Sequence, residues 1–70
     1  MRNVAMTLLT KAGKLTFRKV SKGKRLVRAN RKSFLEKVAP DSIIQSDNEG
    51  YYIEIDKDAT GVIILNLVEM

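Results

Sequence analysis

Two cations at a predicted helix start are the residues whose types best suit the binding of a ligand. The segment Asn30-Arg31-Lys32-Ser33 places Arg31 and Lys32 in the first helical turn, with Asn30 as the N-cap residue. The positive end of the helix dipole makes cations there unfavourable by roughly a few tenths of a kcal/mol each. A bound phosphate reverses that cost and accepts hydrogen bonds from the free backbone N–H groups. The alternative is that both cations are solvated and screened by salt.

Two basic turns, each with one glycine, form a second candidate region. They span Lys11–Lys14 and Ser21–Arg25. Successive turns of a meander lie at opposite ends of the sheet, about 20 Å apart for a six-residue strand, so they do not hold one small phosphate together. They suit separate phosphates of a long nucleic acid, with Arg18 and Arg25 between them. Neither turn has the spacing of a nucleotide-binding phosphate loop.

Charge is distributed unevenly along the chain. Residues 1–37 carry twelve basic side chains and one acid, a net charge of +11, whereas residues 38–70 carry one base and seven acids, a net charge of −6. This asymmetry is typical of a polyanion-binding face or of an electrostatic self-contact. The alternative is a solvated surface on which the two halves neutralise each other.

The composition excludes several kinds of site. The chain has no cysteine and no histidine, so disulfides, thiol catalysis, cysteine zinc sites and the usual general base are absent. None of the serines has a histidine partner, and we predict neither an enzyme nor a cofactor. Asp56–Gly61 copies the first half of a calcium-binding loop, but Leu67 occupies the twelfth position, where a glutamate is required. We therefore predict no metal site.

Length and hydropathy predict one small cytoplasmic domain over residues 1–70. The longest apolar run, Val62–Leu65, is far too short to span a bilayer, and no signal-peptide cleavage pattern follows the N-terminus. The pattern of glycines and β-branched residues predicts strands near 3–10, 15–20, 25–29, 42–47, 51–56 and 62–69. A short helix is expected between Asn30 and Pro40. The predicted fold class is α+β, in the order β-β-β-α-β-β-β, with antiparallel hairpins and the helix packed on the sheet.

Two-residue hairpin loops at Ala12-Gly13 and Lys22-Gly23 predict the register of the first three strands. The first loop pairs Leu8 with Phe17, and the second pairs Phe17 with Arg28. Because side chains alternate, one face then carries the apolar set Met6, Leu8, Leu15, Phe17 and Leu26. The opposite face carries Arg18, Arg25 and Val27 among others.

The C-terminal segment is apolar on both faces if it is a strand. One sheet covered by one short helix cannot bury both apolar faces of such a strand. Its apolar residues are Val62, Ile63, Ile64, Leu65, Leu67 and Val68. A bare apolar edge strand also invites pairing with another chain. We therefore expect a homodimer through the 62–68 strand; the alternative is a central strand within a monomer.

The stretch Arg25–Ile55 resembles the swapped-hairpin bacterial transition-state regulators, through Pro40-Asp41-Ser42 and Glu49-Gly50. It lacks that family's glycine after the proline and its proline before the helix. The resemblance covers less than half of the chain, and we do not assign the chain to that family.

The sequence favours a small basic protein, regulatory and non-enzymatic, that binds nucleic acid through the phosphate backbone. Few aromatic residues are free to stack on bases, which indicates backbone contact with little reading of sequence. The predicted contact residues are Arg18, Lys22, Lys24, Arg25, Arg31 and Lys32. The alternative is a protein-interaction module, a small inhibitor or adaptor, whose basic face binds an acidic partner protein.

Overall fold

A computed structural model describes residues 5–11 and 13–69, which form an antiparallel sheet with helices packed on one face. The elements are β1 Ala5–Leu9, β2 Lys14–Ser21, β3 Lys24–Ala29, α1 Lys32–Val38, β4 Gln45–Asp47, β5 Gly50–Asp56, a 3-10 turn Lys57–Ala59 and α2 Thr60–Val68. The strand order across the sheet is β1-β2-β3-β5-β4. The predicted α+β class and the short helix on the sheet are confirmed. Residues 3 and 4, where the first strand was predicted to begin, lie outside the described residues.

The core lies between one face of the sheet and the two helices. Alternate residues of the central strands point to this face, as the period of a strand requires. The buried set from the strands is Leu15, Phe17, Val27, Ala29, Ile53 and Ile55. The helices contribute Phe34, Leu35, Val38 and Ile63. We call this side of the sheet the core face and the other side the open face.

A β-bulge makes part of the predicted register wrong. Ser21 lies opposite Lys24, so the two-residue loop Lys22-Gly23 is as predicted, but the register shifts between Lys19 and Ser21. One extra residue in β2 moves every later pair by one, which exchanges the two faces of β3.

The consequence is that β3 turns Val27, instead of Leu26, to the core. Phe17 lies opposite Val27, and Arg18 lies opposite Leu26. Between β1 and β2 the register differs from the prediction by two, with Leu8 opposite Leu15. A shift of two preserves the alternation, so the apolar face of that hairpin is as predicted.

The predicted C-terminal strand is wrong, because residues 60–68 form helix α2. A short apolar run does not distinguish a strand from a buried helix, and the helical period spreads the same residues over two sides. Ile63 is buried, and Ile64 and Leu67 pack against the core. Val62, Leu65 and Val68 remain exposed. The homodimer stays a prediction, but this segment offers no strand for pairing.

Helix α2 is also joined to α1 by a polar contact. The side-chain amide of Asn66 donates a hydrogen bond of 2.8 Å to the backbone carbonyl of Val38, at the end of α1. That carbonyl has no partner within its own helix, so the amide compensates for its burial. Within residues 5–11 and 13–69, no helix has the length and apolar character needed to cross a bilayer.

Candidate anion-binding cleft

The β2–β3 turn brings two distant cations together. Gly23 has φ +82°, a conformation that glycine adopts without the steric cost of a Cβ. Its carbonyl accepts a hydrogen bond of 2.8 Å from the backbone N–H of Lys57, the first residue after β5. Lys57, the one base of the acidic half, is therefore held beside Lys22 and the turn.

Two more cations lie on the core face at the same end of the sheet. Lys19 of β2 is directly opposite Arg25 of β3, and Arg25 is opposite Ile55 of β5. Directly opposed side chains of an antiparallel pair have Cβ atoms about 4.5–5.5 Å apart, and like charges at that distance repel. The fold therefore pairs two cations at a position where an acid would relieve the repulsion.

These four cations surround one open cleft of about 650 Å³. We call it the basic cleft; its lining residues are Met6, Phe17, Lys19, Lys22, Gly23, Arg25, Lys57 and Thr60. No carboxylate lines it, and within the part of the chain that the structure describes none of the four cations forms an ion pair. A concave surface lined by one sign of charge concentrates the field and attracts anions.

The open face of the same sheet carries cations that do have partners. The Arg28 guanidinium donates two hydrogen bonds to the Asp47 carboxylate, at 2.7 and 3.0 Å. It also lies 3.7 Å from a Glu49 carboxylate oxygen and 5.2 Å from the centre of the Tyr52 ring. Bidentate geometry of this kind holds the guanidinium in one place.

These contacts shift the ionisation of both partners. The hydrogen bond from Arg28, followed by that from the Glu49 backbone N–H, lowers the pKa of Asp47 below its ordinary value. The hydrogen bond to Asp47 raises the pKa of Arg28. Lys24 lies 2.9 Å from Asp56, and this hydrogen bond raises the pKa of Lys24. On the open face, Lys24 and Arg28 are thus already neutralised.

The predicted contact residues do not form one surface. Lys22 and Arg25 line the basic cleft. Lys24 is in its ion pair on the open face. Arg18 is exposed and opposite Leu26, so it lies on the open face and not beside Arg25, contrary to the predicted register.

The remaining two, Arg31 and Lys32, lie past the far end of β3, roughly 20 Å from the turn end by strand length. The predicted N-cap residue Asn30 is wrong, because Arg31 takes that position. No side chain caps this helix, and its first turn holds no acidic residue. The helix has only seven residues, so its dipole is small. Arg31 and Lys32 do not line the basic cleft.

Sequence reasoning missed Lys19 and Lys57. Lys19 lies on the core face, as the alternation of β2 requires, but the predicted register put its partner Arg25 on the opposite face. No feature of the sequence indicated Lys57, because its place in the cleft depends on the hydrogen bond that its backbone N–H donates to the Gly23 carbonyl.

The calcium-like segment has a different role. Asp56 ends β5, Lys57–Ala59 form the 3-10 turn, and Thr60 begins α2. Among the residues described, no group of three or more His, Cys, Asp or Glu side chains is close enough to hold a metal ion. Comparison of the chain with protein-family models, curated proteins and solved structures finds no match.

Proposed function

We propose that the protein is a small non-enzymatic nucleic-acid-binding protein that holds the phosphate backbone at the basic cleft. The observation that carries this proposal is that four cations line one concave surface and form no ion pair with any of the described residues. Repulsion between Lys19 and Arg25 favours the anion-bound state, because a bound phosphate screens it. The net charge of +5 adds long-range attraction for a polyanion.

The cleft favours contact with phosphates over contact with bases. Phe17, the aromatic residue in its wall, is 2% exposed and so offers no stacking surface. Tyr52 on the open face is covered by the Arg28 guanidinium. Binding through cations without stacking gives little preference for sequence.

The other predicted contacts lie outside the basic cleft, Arg18 on the open face and Arg31 and Lys32 at the start of α1. Arg18, Arg31 and Lys32 are exposed, and the described residues give none of them an ion pair. The molecule measures 33 × 27 × 22 Å, so only a polymer reaches both the cleft and the start of α1. A nucleic acid with one charge per roughly 1.7 Å of duplex supplies phosphates along that whole length.

The test is a fluorescence-anisotropy titration with mixed-sequence DNA and RNA at several salt concentrations. We expect affinity to fall steeply with salt, because each neutralised phosphate releases counterions. Lys19→Gln with Arg25→Gln removes two contacts and lowers the magnitude of the slope of log K against log salt by about two. The matched control, Lys14→Gln with Lys37→Gln, loses the same charge at exposed positions outside the cleft.

The outcomes separate clearly. Loss of slope in the cleft variant alone supports the proposal. Undetectable binding of both nucleic acids at low salt overturns it. An equal loss in both variants also overturns it, because net charge rather than the cleft would then be responsible.

A second candidate function is binding of an acidic partner protein at the basic face, and one observation favours a protein partner over a nucleic acid. Val62, Leu65 and Val68 form an exposed apolar stripe on α2, with 57–75% of each residue accessible. A shallow apolar groove of about 220 Å³ between Val38, Pro40 and Val62 lies beside it. Contact with a phosphate backbone does not bury such an apolar surface, whereas protein interfaces bury apolar residues at their centre. Undetectable binding of DNA and RNA in the titration would favour this second candidate.

A further inference from the structure

The basic cleft concentrates more positive charge than one backbone phosphodiester requires. An internal phosphodiester carries a single negative charge, and successive phosphates along a strand are met one after another. Four cations face the cleft from two directions: Lys19 and Arg25 from the sheet, and Lys22 and Lys57 from the turn that closes its end. All four side chains line the same cleft, which suits a single group of high negative charge.

Strand pairing and one hydrogen bond set the backbone positions of the four residues. Lys19 and Arg25 are opposed in a regular part of the β2–β3 pairing, immediately before the bulge. Lys22 and Lys57 are linked through the Lys57–Gly23 hydrogen bond of 2.8 Å. These backbone positions keep the four side chains at one cleft.

Resting on the proposed function, we propose that the basic cleft binds the terminal phosphate of a nucleic-acid strand. A phosphate monoester carries about −1.5 to −2 charges at pH 7 and three acceptor oxygens, against one charge for a diester. Charge-assisted hydrogen bonds from several Lys and Arg side chains match that group. Met6, 40% exposed at the rim, offers an apolar surface for the adjoining nucleoside.

The experiment compares three single-stranded oligonucleotides of one sequence: one with a 5′-phosphate, one with a 3′-phosphate and one with hydroxyls at both ends. We expect at least one phosphorylated strand to bind about tenfold tighter than the hydroxyl-ended strand at pH 7. The preference disappears in Lys19→Gln with Arg25→Gln and is retained in Lys14→Gln with Lys37→Gln. Thermal melts confirm that each variant is folded.

The pH dependence provides an independent readout. The second ionisation of a phosphate monoester has a pKa near 6, so the preference should shrink between pH 7 and pH 5.5. The protein has no histidine, so no side chain of ordinary pKa titrates in that window. The hydroxyl-ended strand, which ends in no monoester, serves as the control for the protein's own charge.

Each outcome tests one proposal or both. Equal binding of all three strands overturns end recognition and leaves backbone binding intact. A preference that persists in the cleft variant, or that does not change with pH, also overturns it. Undetectable binding of every strand at low salt overturns the proposed function and this inference together.

Discussion

Strand β3 places cations on both faces of the sheet, and the two faces treat them differently. On the open face, Lys24 and Arg28 are matched by Asp56 and Asp47. On the core face, Arg25 meets Lys19, and neither forms an ion pair within the described residues. Adjacent positions of one strand, Lys24 and Arg25, thus have opposite electrostatic surroundings.

The difference arises from the acids of the neighbouring strands, Asp47 on β4 and Asp56 on β5. The outward residues of β5, Tyr52, Glu54 and Asp56, face the open side, while Ile53 and Ile55 face the core. Strand alternation therefore delivers the acids of β5 to one face and its apolar residues to the other. Strand β5 places apolar residues rather than acids beside the cations at the end of the core face. These cations therefore remain available to a ligand.

The turn at Gly23 supports the basic cleft, and its substitution should have the largest effect on stability. Gly23→Ala puts a side chain at φ +82° and should destabilise the protein by about 1–2 kcal/mol. It also displaces Lys22 from Lys57, so affinity for nucleic acid should fall. Denaturant unfolding and anisotropy measure the two effects.

The matched control is Gly61→Ala. Gly61 lies in α2, and an added Cβ meets no described atom within 4 Å beyond its chain neighbours and the helix's own backbone, so alanine should stabilise the helix by about 0.5–1 kcal/mol. A destabilised Gly61→Ala, or a neutral Gly23→Ala, would contradict the backbone geometry at these sites.

Arg28→Gln tests the neutralised face. The contact of the guanidinium with the Tyr52 ring is worth about 0.5–1 kcal/mol at an exposed site, and its loss should lower the unfolding free energy by that order. The pKa of Asp47 should rise toward its ordinary value, because its principal hydrogen-bond donor is removed. Carboxyl NMR titration of both proteins measures this shift.

The sign of the pH effect follows from the lowered pKa of Asp47. Its stabilising contribution is present above the ordinary aspartate pKa and is lost as the pH falls through the lower folded value. The difference in melting temperature between the parent and Arg28→Gln should therefore begin to shrink below about pH 4, toward the part that the Tyr52 ring contact contributes. Curves that stay parallel down to pH 2 would show that Asp47 does not stabilise through this pair. Nucleic-acid binding should change little, since Arg28 lies outside the cleft.

The smallest expected effect is on the free energy of unfolding, which loss of a cation should change in opposite directions on the two faces. Arg25→Gln relieves repulsion with Lys19 and should stabilise the free protein by about 0.5 kcal/mol while weakening nucleic-acid binding. Lys24→Gln removes the exposed ion pair with Asp56, so the variant should be slightly less stable than the parent at low salt. At high salt the pair is screened in the parent, and the difference in stability should disappear. Thermal melts at two salt concentrations compare them, and effects of equal sign would refute the contrast between the faces.

Much of the local structure could be predicted because local signals determine it. Asparagine, apolar spacing and Pro40 delimited α1, although its cap lies one residue later than predicted. The Lys22-Gly23 loop was correct because a positive φ strongly favours glycine at that position. The bulge after Lys19 left no residue signature, and a single extra residue exchanged the faces of β3.

The C-terminal segment shows why such errors occur. Val62–Leu65 suits a strand by composition and a helix by burial, and packing of Ile63 against the core selects the helix. Long-range contacts decide between two conformations that the local sequence leaves nearly equal in free energy.

By itself, the sequence determined the α+β class, the Lys22-Gly23 turn, the polarity of charge along the chain and the absence of cysteine and histidine chemistry. Only the tertiary structure decided which cations meet and which are neutralised. Lys57 reaches the basic turn through one backbone hydrogen bond, and Arg25 reaches Lys19 through the register. Composition sets the amount of charge, but pairing between strands distant in sequence sets its position, because a one-residue shift moves each side chain to the other face.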